Sequence, residues 1–201
     1  MSRARVAAAA GAAAFAALAV LVAAGTLTSF DQWAIDHAMP AADFAPGKPT
    51  LTRALIPLWH EQWHSAGSAA ADVFTLPAYV LPATAIVALA CLRLRRRRAV
   101  LLAAAFAIGN AVEVLTKDLL TRPALHWHAL QLVGFDNSYP SGHTLRAVLV
   151  ATAVGSAWPR RRGVAVVWAV CALVALEVAG LHVPTDIAGG LLLAGALVLA
   201  I

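Results

Sequence analysis

"CLRLRRRRAVLLAAAFAIGNAVEVL", residues 91–115, sets the run Arg93 to Arg98 between two apolar segments. In a soluble basic protein such a run reads as a nucleic-acid patch; flanked by greasy sequence on both sides it reads as the cytoplasmic anchor of a membrane protein. Composition agrees. Across 201 residues, 61% are hydrophobic and only 12% charged, with a mean hydropathy of +0.77, which does not suit a domain dissolved in water. The chain is therefore expected to be an integral membrane protein with no nucleic-acid partner. Its two cysteines, Cys91 and Cys171, both lie in apolar runs and are expected in the core, without a disulfide or metal.

Working outward from this stretch, six apolar segments approach the roughly 20 residues a helix needs to cross a bilayer. They span about 6–29, 70–92, 99–120, 142–158, 164–182 and 185–201. The first, rich in alanine after "MSRAR", is long for a signal peptide and is expected to be retained. The expected fold is all-α: a polytopic six-transmembrane-helix bundle forming a single domain over 1–201. Arg3 and Arg5, the run Arg93 to Arg98, and Arg160 to Arg162 fall on one side of such a bundle. The excess of positive charge makes that side, and the N-terminus, cytoplasmic. Residues 30–69, with Trp33, Trp59 and Trp63 beside Asp31, Asp36, Asp43 and Glu61, are expected as short interfacial helices on the opposite side. His60 and His64 share a helical face there, with interfacial packing the expected role.

Polar residues gather at the external helix ends. Lys117 closes the third span, Ser141 and His143 open the fourth, His182 closes the fifth and Asp186 opens the sixth. Any one of them alone would be a side chain snorkelling to the interface; together they mark one polar layer. In "PSGH" (140–143), Ser141 is placed to cap a helix whose first N–H groups then face outward, an arrangement that binds anions, phosphate above all. Gly142 lets the anion approach the backbone. Lys117 and Arg122 add positive charge that suits a phosphoryl transition state. In "HVPTD" (182–186), Asp186 is four residues from His182, near enough to hold one ring nitrogen and leave the other to attack. Two histidines and an anion cradle point to phosphoryl transfer through a covalent histidine intermediate.

"KDLLTRP" (117–123), "PSGH" and "HVPTD", in this order on three successive helices, resemble the three signature motifs of the type 2 phosphatidic acid phosphatase superfamily. The family includes bacterial lipid pyrophosphate phosphatases and, more distantly, vanadium haloperoxidases. The resemblance covers about residues 70–201. It implies His182 as nucleophile, Asp186 as its orienting partner and His143 as the acid that protonates the leaving oxygen. Lys117, Ser141 and Gly142 would hold the phosphate, with no metal or other cofactor. The chain departs from the pattern at two arginines: the first motif's Arg-Pro falls on Ala124 and Leu125, and the third motif's Ser-Arg on Ala175 and Leu176.

Three ionisable residues lie deeper in the spans. At 1.5 Å rise per residue, Arg146 is about 4.5 Å below His143, Glu113 about 6 Å below Lys117 and Glu177 about 7.5 Å below His182. Unpaired charge is costly at such depth. Arg146 therefore either pairs with Glu177, Glu113 or both, or reaches up to the phosphate in place of a missing arginine.

The expected function is a metal-independent membrane phosphatase acting at the extracytoplasmic face on a lipid phosphate or isoprenoid pyrophosphate. The alternative is a weakened or inactive relative that binds or transports phospholipid. A proton-coupled transporter using Glu113 and Glu177 would need broken helices or repeated halves that the sequence lacks. A metal site from His126, His128, His143 and His182 lacks a completing Glu or Cys. The expected partners are a phosphorylated lipid substrate and membrane lipids.

Overall fold

The computed structural model describes residues 2–39, 73–128, 130–132 and 135–201. Among them are seven α-helices of ten residues or more, two short 3-10 helices and one minimal hairpin. Helix α1 (Arg3–Ala23) forms from a run of alanine, the best helix former, and Ser2 starts it by accepting the Arg5 N–H. A turn at Gly25 leads to α2 (Thr28–His37). Helices α3 (Val80–Cys91), α4 (Arg96–Leu119), α5 (Gly142–Ala157), α6 (Arg162–Val178) and α7 (Pro184–Ala200) follow. Proline marks several boundaries. Pro184 sits at the first position of α7, where its missing N–H costs nothing, and Pro159 stands just past the end of α5.

Helix α5 is the axis of the bundle. It packs against α3, α4, α6 and α7, while α1 lies along α7. Leu145, Leu149, Leu193 and Ala194 form the α5–α7 seam, and Ala147, Ala151, Ala165 and Ala169 a small-residue seam between α5 and α6. The strands β1 (His126–Trp127) and β2 (Leu130–Gln131) pair antiparallel, His126 opposite Gln131. Gln32 of α2 clasps this hairpin, donating to the His126 carbonyl at 2.7 Å and accepting its N–H at 3.0 Å. Beneath it, Ile35, Met39, Leu125, Leu132, Phe135 and Val183 make an apolar cluster that fixes α2 over one end of the bundle.

The helical class is as expected, and the helix boundaries refine the spans. Helices α1 and α4, with 21 and 24 residues, are long and apolar enough to cross a membrane. In the segment expected to span 70–92, residues 73–75 are helical, a 3-10 turn over Leu76–Ala78 carrying Pro77 interrupts them, and α3 that follows has 12 residues, about 18 Å of rise. Within residues 30–69, expected to form short interfacial helices, the described residues hold one helix, α2. Trp59, Trp63, Asp43, Glu61, His60 and His64 lie outside the described residues. Cys171 is not in the core: it shares the outward face of α6 with exposed Val164, Val167, Val170 and Val174. The bundle thus turns apolar side chains outward while burying Asp31, Glu113, Arg122, Arg146, His182 and Asp186. A water-soluble core has the reverse arrangement.

Candidate functional site

Two backbone features bring the second and third motifs together. Gly180, at φ +67, ends α6 with the left-handed turn that glycine adopts without strain; the Leu181 N–H bonds back to the Leu176 carbonyl at 2.9 Å. The chain then doubles back into α7, and the Ser141 N–H donates to the Asp186 carbonyl at 2.9 Å. The first turns of α5 and α7 therefore lie side by side. Across this junction the rings of His143 and His182 stand with centroids 5.6 Å apart. His182 is 7% exposed, and its Nδ1 lies 3.5 Å from Asp186 Oδ2, a long contact of the kind that tightens when substrate binds. His143 rests edge-on against Tyr79, centroids 4.4 Å apart. Its buried Nε2 has no hydrogen-bond partner among the described residues.

Ser141 caps α5 through the Thr144 N–H, 3.2 Å away, which leaves the N–H groups of Gly142 and His143 at the open end of the helix. The group closest to Gly142 is a carboxylate of the protein itself. A Cβ at this position would overlap Glu113, so glycine is required to admit that side chain. Glu113 is held there by two cations: Lys117 Nζ donates to Oε1 at 2.8 Å and Arg146 Nη1 to Oε2 at 2.6 Å. Arg146 completes its fork with Asn110 Oδ1 at 2.9 Å and the Ala78 carbonyl at 2.8 Å. Of the two carboxylates expected as partners for Arg146, Glu113 makes the ion pair. Glu177 lies instead in the field of Asp31 and Asp186.

Arg122, expected at the phosphate, is buried and turned toward carboxylates. Nη1 donates to Asp186 Oδ1 at 3.1 Å and Nη2 to Asp31. Asp31 is fully buried and also accepts from Thr185, the hydroxyl at 2.6 Å and the N–H at 3.2 Å. It thereby caps α7, whose own N-cap residue, Val183, has no side-chain acceptor to offer. Burial raises the Asp31 carboxyl above its usual 3.8 against the opposing pull of Thr185 and Arg122. The Tyr139 hydroxyl is likewise pushed up by burial and by the nearby Asp186 charge. Sequence reasoning placed Asp31 only in an interfacial helix; its depth inside a helix of mixed polarity carries no local signal.

The predicted catalytic residues His143, His182 and Asp186 thus meet at one junction, with Lys117, Ser141 and Gly142 at its rim. Lys117 retains a side-chain exposure of 30%. Arg146 lies one turn deeper, and both it and Lys117 contribute charge near His143. His126 and His128 are exposed on the hairpin segment. Ala175 and the fully buried Leu176 occupy the places of the third motif's Ser-Arg.

No curated protein and no solved structure matches the chain. A family model does, over residues 98–201, a stretch that begins at the end of the arginine run and takes in all three motifs. With that match, and with His143 and His182 brought together as its motifs require, the chain belongs to the PAP2 superfamily.

Proposed function

We propose that this chain is a membrane phosphatase that hydrolyses a phosphorylated lipid through a phosphohistidine at His182. Family membership supports a phosphatase-type function in general. The observation that carries the finer reading is the facing pair His143 and His182, 5.6 Å between ring centroids, with Asp186 behind one of them. In this reading Asp186 holds Nδ1 and leaves His182 Nε2 free to attack phosphorus. The N–P bond forms as the P–O bond to the lipid breaks, and His143 gives its proton to the departing oxygen. Water then attacks the phosphohistidine, His143 takes the water's proton, and the P–N bond breaks to release phosphate. Lys117 and the open N–H groups at the start of α5 are placed to stabilise the phosphoryl oxygens.

Six spans, with the N-terminus and arginine-rich segments in the cytoplasm and the histidine junction outside, fit the outward apolar faces and the placement of Arg93 to Arg98 and Arg160 to Arg162. A lipid headgroup would then meet the site at the membrane surface. One observation favours a second reading, a relative that binds or moves phospholipid without turnover: Lys117 and Arg146 both hold Glu113, and Arg122 holds Asp31 and Asp186. The deciding experiment is phosphate release by the detergent-purified protein from phosphatidate, phosphatidylglycerophosphate and polyprenyl diphosphate, in the presence of a chelator. Release from any of them that vanishes in His182→Ala supports the phosphatase. Binding without release supports the second reading.

A further inference from the structure

We propose that Asp31 is a positioning residue for His182, acting through Arg122 and Asp186, and that the segment before the matched region therefore completes the site; this rests on His182 being the reactive histidine. The path is continuous. Asp31 takes Nη2 of Arg122, Arg122 Nη1 reaches Asp186 Oδ1 at 3.1 Å, and Asp186 Oδ2 faces His182 Nδ1 at 3.5 Å. Asp31, Arg122 and Asp186 are all buried, their side chains 2% exposed or less.

The arrangement divides one guanidinium between two acids. Without Asp31, Arg122 would give its whole fork to Asp186, and a carboxylate so neutralised is a weaker acceptor for the imidazole N–H. Asp31 keeps Asp186 negative enough to hold Nδ1–H of His182 and aim Nε2 outward. It also fixes Asp186 in space: by accepting the N–H and hydroxyl of Thr185 it anchors the residue before Asp186. Arg122 accordingly serves the nucleophile's carboxylate, and its contribution to phosphate binding is indirect.

Charge sets the sign of the effect on His182. The other ionisable groups around it are His143 and Arg146 on α5, Lys117 and Glu113 on α4, Glu177 on α6 and Tyr139 before α5, and the two substitutions below leave each of these residues in place. Asp31→Asn removes a negative charge and releases Arg122 toward Asp186, so the imidazolium of His182 is destabilised and its titration midpoint moves down. Arg122→Gln removes the positive charge and moves it up. A general loosening of the fold would not separate the two variants in opposite directions.

The test is an NMR titration of ring-labelled histidine in the full chain in detergent, the His182 signal being assigned by its loss in His182→Ala. Phosphate release from phosphatidate is measured on the same samples. The expected result is a lower midpoint in Asp31→Asn and a higher one in Arg122→Gln. In Asp31→Asn, kcat falls about 10- to 100-fold, by analogy with loss of the outer partner that orients a metal-bound histidine, with KM little changed. Asp31→Glu, which restores the charge, recovers part of kcat. Midpoints that stay put or move together overturn the positioning role. Should Arg122→Gln not fold, Asp31→Asn decides alone, since its amide still accepts from Thr185. Phosphate release that survives His182→Ala is a separate result, overturning the phosphohistidine reading whatever the midpoints do.

Discussion

Arg146 of α5 and Glu113 of α4 form a buried ion pair, Nη1 to Oε2 2.6 Å, with both side chains 7% exposed. Removing Glu113 leaves the Arg146 charge without its carboxylate in a low-dielectric interior, at a cost of about 3–5 kcal/mol, whereas removing Arg146 leaves Glu113 still paired with Lys117 at 2.8 Å. Glu113→Leu is expected to lower the midpoint of thermal unfolding in detergent sharply and Arg146→Leu to lower it less, because Lys117 still holds Glu113; the double variant is expected to regain much of the Glu113→Leu loss. Arg146→Leu with Glu177→Leu is expected to be additive. Coupling with Glu177 in place of Glu113 would overturn the assignment.

This pair shows how far the sequence could be read. That Arg146 needs a carboxylate follows from its depth in an apolar segment, and two candidates follow from helix rise. Choosing between them needs the rotation of α4 and α6 about their axes, which hydrophobic periodicity leaves weakly defined in helices as uniformly apolar as these. The order of the three motifs, and so the meeting of His143 with His182, was legible because each lies at a helix end and short connections force those ends together. The partner of Arg122 was not. Asp31 is 91 positions away, on a helix whose tryptophan and acids read as interfacial, and only tertiary packing of α2 over the hairpin carries it inward. Gly142 was expected to admit a phosphate; the group that meets it is the Glu113 carboxylate, carried there by the packing of α4 against α5, which the sequence does not spell out.

Gly142→Ala is expected to destabilise the protein by about 1–3 kcal/mol, as overpacking typically does, because its Cβ meets the Glu113 carboxylate. The same substitution in a Glu113→Ala background is expected to cost much less, since the clashing group is gone. Unfolding midpoints of the four proteins check this. Equal losses in the two backgrounds would show that backbone conformation at 142, rather than space, demands glycine.

Asn137, in the loop before α5, and Arg161, between α5 and α6, are both exposed and would fall on opposite sides of the membrane in the proposed six-span arrangement. In a background lacking Cys91 and Cys171, cysteine at 137 is expected to react with an impermeant thiol reagent added to intact cells, and cysteine at 161 only after lysis. The reverse pattern would put the histidine junction in the cytoplasm and require a substrate on that side.

His143 is the residue whose loss should depend on the substrate. Its ring is packed edge-on to Tyr79, and its buried Nε2 has no partner among the described residues, so a proton carried there is available to a departing oxygen at the junction with His182. An alkoxide leaving from a phosphate monoester is a strong base and needs that proton; a phosphate leaving from a diphosphate needs it far less. His143→Ala is therefore expected to lower kcat on phosphatidate by about 10²- to 10⁴-fold, the usual range for a general acid, and on polyprenyl diphosphate by much less, while His182→Ala abolishes both. The ratio of the two kcat values, measured on one preparation, cancels any difference in folded fraction. An unchanged ratio would mean that His143 serves binding or packing, and the leaving oxygen would have to take its proton elsewhere.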